Sequence, residues 1–218
     1  MIAAERLFEN REALAAGLAA DVASALENLV TTTGKACLAV SGGSTPKLFF
    51  QALSAKDISW GKITVTLVDE RQVPDTNPRS NAKLVRENLL QNRAAGALFS
   101  PLFDNPGVGK IPALDVVVLG MGNDGHTASF FPGGDHLKEA LDPATPQRVI
   151  AISAPDAGEP RLTFTLASLL EAKLLCLHIE GREKRSVLDA ARAAGPVEAM
   201  PVRAVLRSPQ PLTLFWCP

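Results

Sequence analysis

Residues 116–119 form an apolar run that limits which folds are open to this chain. The run consists of three valines and a leucine without polar alternation, which is typical of a strand buried on both faces of a parallel sheet. Three glycines follow between 120 and 125, and glycine permits tight or left-handed backbone turns. Ligands of open α/β sheets bind in the crevice beyond the carboxyl ends of the strands. We therefore expect Asp124 and His126, in and just after this segment, to face a ligand.

Strand-like and helix-like patterns alternate along the rest of the chain. Further strands are predicted at 37–40, 63–68, 149–152, 174–179 and 212–216, and helices at about 5–28, 46–53, 80–90, 162–170 and 182–192. Thr45 before Pro46, and Ser80 before Asn81, are residue types that begin helices. The alternation predicts a layered, Rossmann-like α/β fold with a mostly parallel sheet flanked by helices.

A single domain is expected for residues 1–218, because no repeat or low-complexity linker interrupts the pattern. The proline- and glycine-rich loops are local, at 74–78, 104–112, 132–146 and 154–160.

Charge and composition exclude several classes of function. The chain has 218 residues and a formal net charge of −1, so no overall positive field attracts nucleic acid or an anionic membrane. Its apolar runs are shorter than the roughly twenty residues of a membrane span, and its first six residues contain neither a basic leader nor an apolar signal core. We expect a soluble, cytoplasmic protein that binds neither nucleic acid nor membrane.

The spacing of cysteine and histidine argues against a disulfide framework and a metal site. Cys37, Cys176 and Cys217 are far apart and odd in number, and the first two lie in apolar runs where a thiol packs as a small hydrophobe. The three histidines lack the spacing of zinc ligands. We interpret His178, inside an apolar strand pattern, as a hydrogen-bonded strand residue and expect no metal.

The glycine spacing at 120, 122 and 125 matches the dinucleotide-binding pattern, but its context does not. That pattern normally lies in the first βαβ unit and is followed about twenty residues later by an acid that binds ribose. Here it lies past the middle of the chain, residues 142–148 form a proline-rich turn sequence, and Asp124 would face the pyrophosphate. We therefore reject a dinucleotide cofactor.

A candidate anion site is the segment 41–46, Ser-Gly-Gly-Ser-Thr-Pro, between a predicted strand and a predicted helix. Gly42 and Gly43 allow a phosphate to approach the backbone, Ser44 and Thr45 add hydroxyl groups, and the helix N-terminus favours negative charge. The segment is neither a P-loop, which needs a lysine after its second glycine, nor a nucleophile elbow. The alternative is an ordinary βα turn with a good cap.

Charged residues follow the strand predicted at 63–68. Asp69, Glu70 and Arg71 come directly after it, and Asn81 lies beyond a loop. Three ionisable side chains at a strand end favour a binding role. The alternative is a solvated turn with a surface ion pair.

Asp124 and His126 form the candidate catalytic pair. A neutral imidazole accepts a proton near pH 7, and a carboxylate beside it orients the ring and stabilises its protonated form. Residues two apart on a bent loop can both face inward. The alternative is a polar loop with a helix cap near Thr127.

Basic residues lie next to two further predicted elements. Arg161 precedes the helix predicted at 162–170 and suits bidentate phosphate binding, whereas Lys184 supplies a compact positive charge. Arg182 and Arg185 are better explained as part of an exposed helix face.

Together these segments resemble the 6-phosphogluconolactonases of the glucosamine-6-phosphate isomerase/6-phosphogluconolactonase family. The matching segments, in the family's order, are 41–46, 69–71, 80–81, 120–129, 131–133, 160–163, Gly181 and Lys184. The resemblance covers the chain from about residue 38 to 190. Two features depart from it: the chain ends in Phe-Trp-Cys-Pro without the family's usual tail, and Ala82 stands where many relatives have tyrosine.

The resemblance implies a fold, a reaction and a substrate. The fold is that of the sugar-phosphate isomerases and deaminases. The reaction is hydrolysis of the small molecule 6-phospho-D-glucono-1,5-lactone to 6-phospho-D-gluconate, in the oxidative pentose phosphate pathway. No metal or organic cofactor is implied, and we expect a monomer or a weak homodimer.

The resemblance, with the chemistry of lactone opening, also implies roles for individual residues. His126 is the general base that activates water, and Asp124 orients its imidazole. The implied substrate-binding residues are Gly42, Gly43, Ser44, Thr45, Asp69, Arg71, Asn81, Arg161 and Lys184. Among these, the hydroxyls of 44–45 with Arg161 and Lys184 hold the phosphate. Either the backbone N–H groups of the 42–43 turn or Arg71 stabilises the oxyanion.

Two other functions stay open. Glucosamine-6-phosphate deaminases share the Gly-Ser-Thr-Pro, Asp-Glu and Asp-Gly-His blocks, but they continue with Ile-Ala-Phe-Asn-Glu-Pro and place an aromatic after Asp-Glu. Here residues 127–132 read Thr-Ala-Ser-Phe-Phe-Pro, without the acidic residue, and Arg71 replaces the aromatic. A non-catalytic sugar-phosphate-binding regulator on the same fold is the second alternative, although no basic stripe or DNA-binding segment is visible.

Overall fold

The computed structural model describes residues 2–155 and 157–218. Met1 of the predicted domain and Asp156 of the loop predicted at 154–160 lie outside the described residues. The strands are β1 (Ile2–Leu7), β2 (Ala36–Val40), β3 (Ile63–Leu67), β4 (Asp69–Arg71), β5 (Leu98–Ser100), β6 (Val116–Leu119), β7 (Val149–Ile152), β8 (Arg161–Phe164), β9 (Leu174–Glu180) and β10 (Leu212–Cys217). The α-helices are α1 (Arg11–Thr33), α2 (Lys47–Ser54), α3 (Asn81–Asn88), α4 (Leu137–Leu141), α5 (Leu166–Leu169), α6 (Arg182–Arg192) and α7 (Val202–Arg207).

A seven-stranded sheet in the order β1-β10-β9-β6-β2-β3-β5 forms the centre of the fold. Every neighbouring pair in it is parallel. All residues of β2 and β6 are buried, as their unbroken apolar sequences predict. The mostly parallel α/β fold is therefore confirmed, and the carboxyl ends of the strands lie along one edge of the sheet.

A smaller antiparallel sheet has the order β4-β8-β7, and its first strand follows shortly after the carboxyl end of β3. Asp69 pairs with Thr163 and Arg71 with Arg161, so charged residues from distant parts of the chain become neighbours. The helix predicted at 162–170 is wrong in its first half, because this segment is held as strand β8 by both partners. The helical part begins only after Thr165, whose side chain caps the short helix α5.

Helix α1 starts and ends later than the sequence prediction of 5–28. Asn10 caps its start by accepting a hydrogen bond from the backbone N of Ala13 at 2.8 Å, and Gly34, at φ 82°, ends it. Glu5 belongs instead to the edge strand β1, which pairs with β10. Most β1 side chains are exposed, so no apolar alternation in the sequence reveals this strand.

By length and composition alone, α1 would also be able to cross a membrane. It has 23 residues and a mean hydropathy of 1.4 over its most apolar window. The expectation of only short apolar runs is wrong here, because alanines between the larger side chains keep the whole segment apolar. Leu14, Leu18, Val22 and Leu26 are completely buried within the protein core, and core helices of layered folds meet the same criterion.

The remaining helix predictions agree with the structure to different degrees. Helix α2 is present, but Pro46 and not Thr45 is its N-cap residue, and no side chain caps it. Ser80 does cap α3 through the backbone N of Lys83, and α6 matches its prediction at both ends. The short elements β5, α4 and α7 lie in segments for which the sequence predicted neither strand nor helix.

Candidate active site

A cavity of about 380 Å³ opens at the carboxyl edge of the main sheet. Its walls include the ends of β2 and β6, the residues that follow them, and residues of β4 and β8. The predicted site residues that line it are Gly42, Gly43, Ser44, Thr45, Asp69, Arg71, Asn81, His126, Arg161 and Lys184. Asp124 does not line the cavity, but it contacts His126. The fold thus brings the predicted segments to one place.

His126 is held by Asp124 through two contacts. Its Nδ1 lies 2.6 Å from Asp124 Oδ1, and its backbone N donates to the same oxygen at 3.1 Å. The Nδ1 proton is assigned from this carboxylate contact, which leaves Nε2 as the acceptor nitrogen. The imidazole side chain is 29% exposed. A base oriented by a carboxylate therefore faces the cavity.

The pKa of Asp124 lies below its ordinary value of 3.8. Burial alone raises it, but hydrogen bonds from the side chain and the backbone of His126, together with the attraction of the imidazolium charge, outweigh that effect. Asp124 is therefore ionised at neutral pH, as its role as hydrogen-bond acceptor requires.

Glycines in the loop leave room for the candidate catalytic pair. A Cβ atom at Gly122 would lie 2.6 Å from Asp124 Oδ1 and closer still to the ring of His126. Gly125 has φ +80°, and a Cβ there would lie 2.9 Å from the Cβ of Met200. The tight turn therefore favours glycine at both positions 122 and 125.

The same loop ends in a tight turn and not in a helix. Thr127 Oγ1 donates to the carbonyl of Gly120 at 2.7 Å, and Thr127 forms an isolated bridge with Phe130. The alternative in which Thr127 caps a helix is therefore wrong. The turn brings Ser129 to the antiparallel sheet, where its Oγ donates to Asp69 Oδ2 at 2.6 Å.

Phe131 lies between the candidate base and a candidate phosphate-binding residue. Its ring centroid is 4.2 Å from that of His126, at an interplanar angle of 33°. The guanidinium carbon of Arg161 lies 5.4 Å from the same Phe131 centroid, within cation–π range. Phe131 thereby packs against both candidate side chains.

Within the Asp-Glu-Arg segment the two acidic residues are buried and Arg71 is half-buried. Asp69 is 6% exposed and Glu70 is 1% exposed, so the alternative of a solvated turn is wrong. Arg161 Nη1 lies 3.8 Å from Asp69 Oδ2, and the carbonyl of Asp69 accepts a hydrogen bond from Asn81 Nδ2 at 2.9 Å.

The glycine-rich segment after β2 packs against Asn81. A Cβ atom at Gly42 would overlap the Asn81 carboxamide, so only glycine fits there. Gly43 has φ +95°, which also favours glycine. Ser44 is exposed and Thr45 half-buried, and neither hydroxyl caps α2.

Both candidate phosphate-binding cations are at least half-buried. Arg161 is 5% exposed and donates to the backbone carbonyls of Ala157 at 2.6 Å and Glu159 at 3.2 Å. Burial lowers the pKa of its guanidinium, and Asp69 opposes that shift. Burial likewise lowers the pKa of Lys184.

Of the basic residues singled out in the sequence, some lie at the cavity and others at the surface. Lys184 donates to the carbonyl of Met121, and Arg71 donates to the carbonyl of Arg79. Arg185 instead pairs with Glu5 at 3.0 Å and does not line the cavity, and Arg182 is exposed. Arg182 therefore lies on the exposed helix face that the sequence predicted, whereas Arg185 is half-buried.

Several cavity residues were not predicted as functional. Arg79, Phe131 and His178 line the cavity. His178 Nε2 lies 3.2 Å from Glu180 Oε1, so its interpretation as a hydrogen-bonded strand residue is confirmed. Phe131 lies in the segment 131–133 that resembles the family, so the sequence could have indicated it as a site residue. No local sequence signal marks Arg79.

Metal and thiol chemistry have no visible centre in the described residues. Within 2–155 and 157–218, no group of three or more His, Cys, Asp or Glu side chains is placed to hold a metal ion. All three cysteines are free and buried. Burial raises the pKa of Cys37 and of Cys176 to about 12, so neither is a nucleophile at neutral pH.

Comparison with known proteins gives a consistent result. The family model described as glucosamine-6-phosphate isomerases/6-phosphogluconolactonase matches residues 9–105 and 93–216. The 6-phosphogluconolactonase of Rhizobium meliloti (strain 1021) is 53% identical over 232 residues, covering 100% of both chains. The crystal structure of a 6-phosphogluconolactonase from Shewanella baltica OS155 is 40% identical with a TM-score of 0.94, covering 99% of this chain and 97% of that one. A putative 6-phosphogluconolactonase from Neisseria gonorrhoeae FA 1090 is 34% identical with a TM-score of 0.93, covering 100% of both chains.

Proposed function

This chain belongs to the family of glucosamine-6-phosphate isomerases and 6-phosphogluconolactonases, and we infer that it hydrolyses 6-phospho-D-glucono-1,5-lactone to 6-phospho-D-gluconate. The similar proteins from Rhizobium meliloti and Shewanella baltica carry the lactonase name, and the similarity extends over nearly the whole of each chain. The chain is accordingly an ester hydrolase of the oxidative pentose phosphate pathway.

One observation carries the assignment of residue roles. His126, with Nδ1 held 2.6 Å from Asp124, faces the same cavity as Arg71, Arg161 and Lys184. An oriented base and a set of positive charges in one cavity match a neutral lactone ring with a charged phosphate tail.

Hydrolysis starts with a water molecule between His126 and C1 of the lactone. Nε2 removes one proton as the water oxygen bonds to C1, and the carbonyl electron pair moves onto the carbonyl oxygen. Asp124 keeps the ring orientation fixed through Nδ1 and stabilises the imidazolium that forms. Asp124 is therefore a helper and not the nucleophile.

Ring opening returns the proton. The bond between C1 and the ring oxygen breaks, and His126 gives its Nε2 proton to that oxygen, which becomes a hydroxyl group. Before this step, either the backbone N–H groups of Gly42 and Gly43 or the side chain of Arg71 stabilises the oxyanion. No step requires a metal or an organic cofactor.

The phosphate is held by Arg161 and Lys184, together with the hydroxyls of Ser44 and Thr45. Burial lowers the pKa of both cations, so a phosphate dianion beside them supplies charge that favours their protonated forms. Asp69 and Asn81 contact the sugar ring. Because the lactone also hydrolyses unaided, positioning supplies a large part of the acceleration.

Deamination of glucosamine 6-phosphate is disfavoured by Phe131. In the block that follows the histidine, the deaminases have a glutamate where this chain has Phe131. That ring packs against His126 at a tilt of 33°, with the two ring centroids 4.2 Å apart. A phenyl ring transfers no proton, so this position contributes no acid to ring opening.

A sensor without catalysis is disfavoured by the intact pair of His126 and Asp124, since binding alone needs no oriented base.

All the groups in this scheme come from one chain, which supports a monomer or a weak homodimer formed of single-domain subunits. We place the reaction in the cytoplasm, because free, buried cysteines are typical of reducing compartments. Neither nucleic acid nor membrane has a part in it.

Proton release in a pH-stat tests this function, because the product acid ionises as it forms. The protein is added to freshly made 6-phosphogluconolactone, the spontaneous rate is subtracted, and ammonia is assayed in a parallel incubation with glucosamine 6-phosphate. We expect lactone decay above the buffer rate and no ammonia. Ammonia release without lactone decay would identify the protein as a deaminase. If neither activity is found but calorimetry still detects sugar-phosphate binding, the protein is a sensor.

A further inference from the structure

Glu70 is a buried carboxylate that the reaction scheme above does not use. It lies in β4 between Asp69 and Arg71 and is 1% exposed. Successive side chains of a strand point to opposite sides. Asp69 and Arg71 line the cavity, while Glu70 points the other way, towards the start of helix α3.

Four hydrogen-bond donors surround this carboxylate. Oε1 accepts from the backbone N of Arg71 at 2.7 Å and from the backbone N of Asn81 at 2.9 Å. Oε2 accepts from the backbone N of Ala82 at 2.7 Å and from Ser80 Oγ at 3.1 Å. The first N–H groups of a helix have no partner within the helix, so Glu70 satisfies the start of α3. It also connects Arg71 to Asn81 through one oxygen atom.

Only an ionised carboxylate satisfies this set of donors. It offers two acceptor oxygens and no donor, whereas an amide of the same shape offers one acceptor oxygen and an NH₂ group. Burial raises the pKa of Glu70, and its hydrogen bonds oppose that shift. A negative charge is thus kept next to a site for an anionic substrate, where electrostatics alone would favour a neutral residue.

The two residues that Glu70 connects each have an unused polar atom. Among the residues that the structure describes, Arg71 Nε and Asn81 Oδ1 are buried without a hydrogen-bond partner. One is a donor and the other an acceptor. Asn81 is fixed further, because its Nδ2 donates to the carbonyl of Asp69 at 2.9 Å and its carboxamide packs on Gly42.

We propose that Glu70 is a positioning residue of the lactonase reaction, which holds Arg71 and Asn81 in the relative geometry that binds polar groups of the sugar ring. The inference rests on the proposed function, since it names how two residues of that site are held. Glu70 itself does not touch the substrate.

The first test is Glu70→Gln, assayed for lactone hydrolysis in the pH-stat. With its oxygen towards Arg71 and Asn81, the glutamine places its NH₂ group against the N–H of Ala82, so the start of α3 shifts. We expect the protein to fold and kcat/KM to fall by about 10- to 10²-fold, since small misplacements of binding groups have effects of that order. Glu87→Gln is the matched control. Glu87 lies on the same helix, its side chain is 60% exposed, and it pairs with Lys83 at 3.8 Å. We therefore expect the kcat/KM of Glu87→Gln to stay at the wild-type value.

A double-mutant cycle separates positioning from general stability. In the background Arg71→Ala/Asn81→Ala, adding Glu70→Gln lowers kcat/KM by less than about twofold if Glu70 acts through those two residues. If Glu70→Gln merely weakens folding, kcat/KM falls by the same factor in both backgrounds. That full, independent loss would overturn the inference.

The outcomes also separate this inference from the proposed function. If the wild-type protein has no lactonase activity, the proposed function is wrong. If the wild type is active and Glu70→Gln keeps its kcat/KM, only the positioning role is wrong. Should Glu70→Gln fail to fold, Ser80→Ala decides, because it removes one of the four donors. We then expect a fall of about two- to fivefold that disappears in the same double-mutant background, and an unchanged kcat/KM in the Ser80→Ala protein counts against the role.

Discussion

Replacing Gly122 with alanine moves the imidazole of His126 without removing any group from it. The new Cβ atom would lie 2.6 Å from Asp124 Oδ1 and closer still to the His126 ring, whereas ordinary contacts of a Cβ atom begin at 3.4 Å. The pair therefore has to shift by about 1 Å, a misplacement that costs on the order of 10²-fold in rate. Gly122 is not among the glycines with positive φ, so its backbone accepts alanine.

The assay measures kcat on fresh lactone in a pH-stat, with thermal unfolding as the check on folding. We expect kcat of Gly122→Ala to fall about 10²-fold while Tm changes by only a few degrees, as is usual for a substitution outside the core. Gly61→Ala is the matched control, because a Cβ at Gly61 meets nothing within 4 Å. A Gly122→Ala enzyme with the kcat of the Gly61→Ala control would refute the view that the position of His126 determines the rate.

Three further predictions concern the carboxylate, the phosphate and the thiols. Asp124→Asn should lower kcat by about 10²-fold in the same assay, because the imidazolium loses its counter-charge. Since the pKa of Asp124 is lowered from 3.8, its stabilising effect is complete above that pH and is lost as the pH falls through the folded pKa. The Tm difference between wild type and Asp124→Asn at neutral pH should therefore vanish in strong acid. Arg161→Ala should raise KM for the phosphorylated lactone and leave hydrolysis of a phosphate-free lactone unchanged, and equal losses on both substrates contradict its role. Cys37 and Cys176, whose pKa burial raises to about 12, should react with a thiol reagent only after unfolding, and rapid labelling of the native protein would show that they are accessible.

The central strands were predictable because their signal is local. Residues 116–119 are a continuous apolar run and residues 174–179 are apolar except for His178, and the structure places both segments in the middle of the parallel sheet. Strand β1 was not predictable in the same way, since its side chains are mostly exposed and its hydrogen bonds to β10 hold it in place. Residues 161–164 have a sequence compatible with helix, and only pairing with β4 and β7 makes them a strand.

The site was predictable as a set of segments but not as a geometry. Asp124 and His126 are two positions apart in the sequence, and the glycines around them indicate a bent loop. The pair could therefore be predicted from the sequence. Glu70 was recognised only as a charge at a strand end. Its partners at the start of α3 lie 10 to 12 residues away along the chain, and that contact depends on tertiary folding. Arg79 reaches the cavity for the same reason.

The role of His126 as general base is tested by the rate of lactone decay with His126→Ala, measured beside wild type and the spontaneous reaction. We expect wild type to accelerate the decay above the buffer rate, and His126→Ala to lose on the order of 10²- to 10⁴-fold while staying folded. A folded His126→Ala protein that hydrolyses the lactone as fast as wild type would show that His126 is not the base.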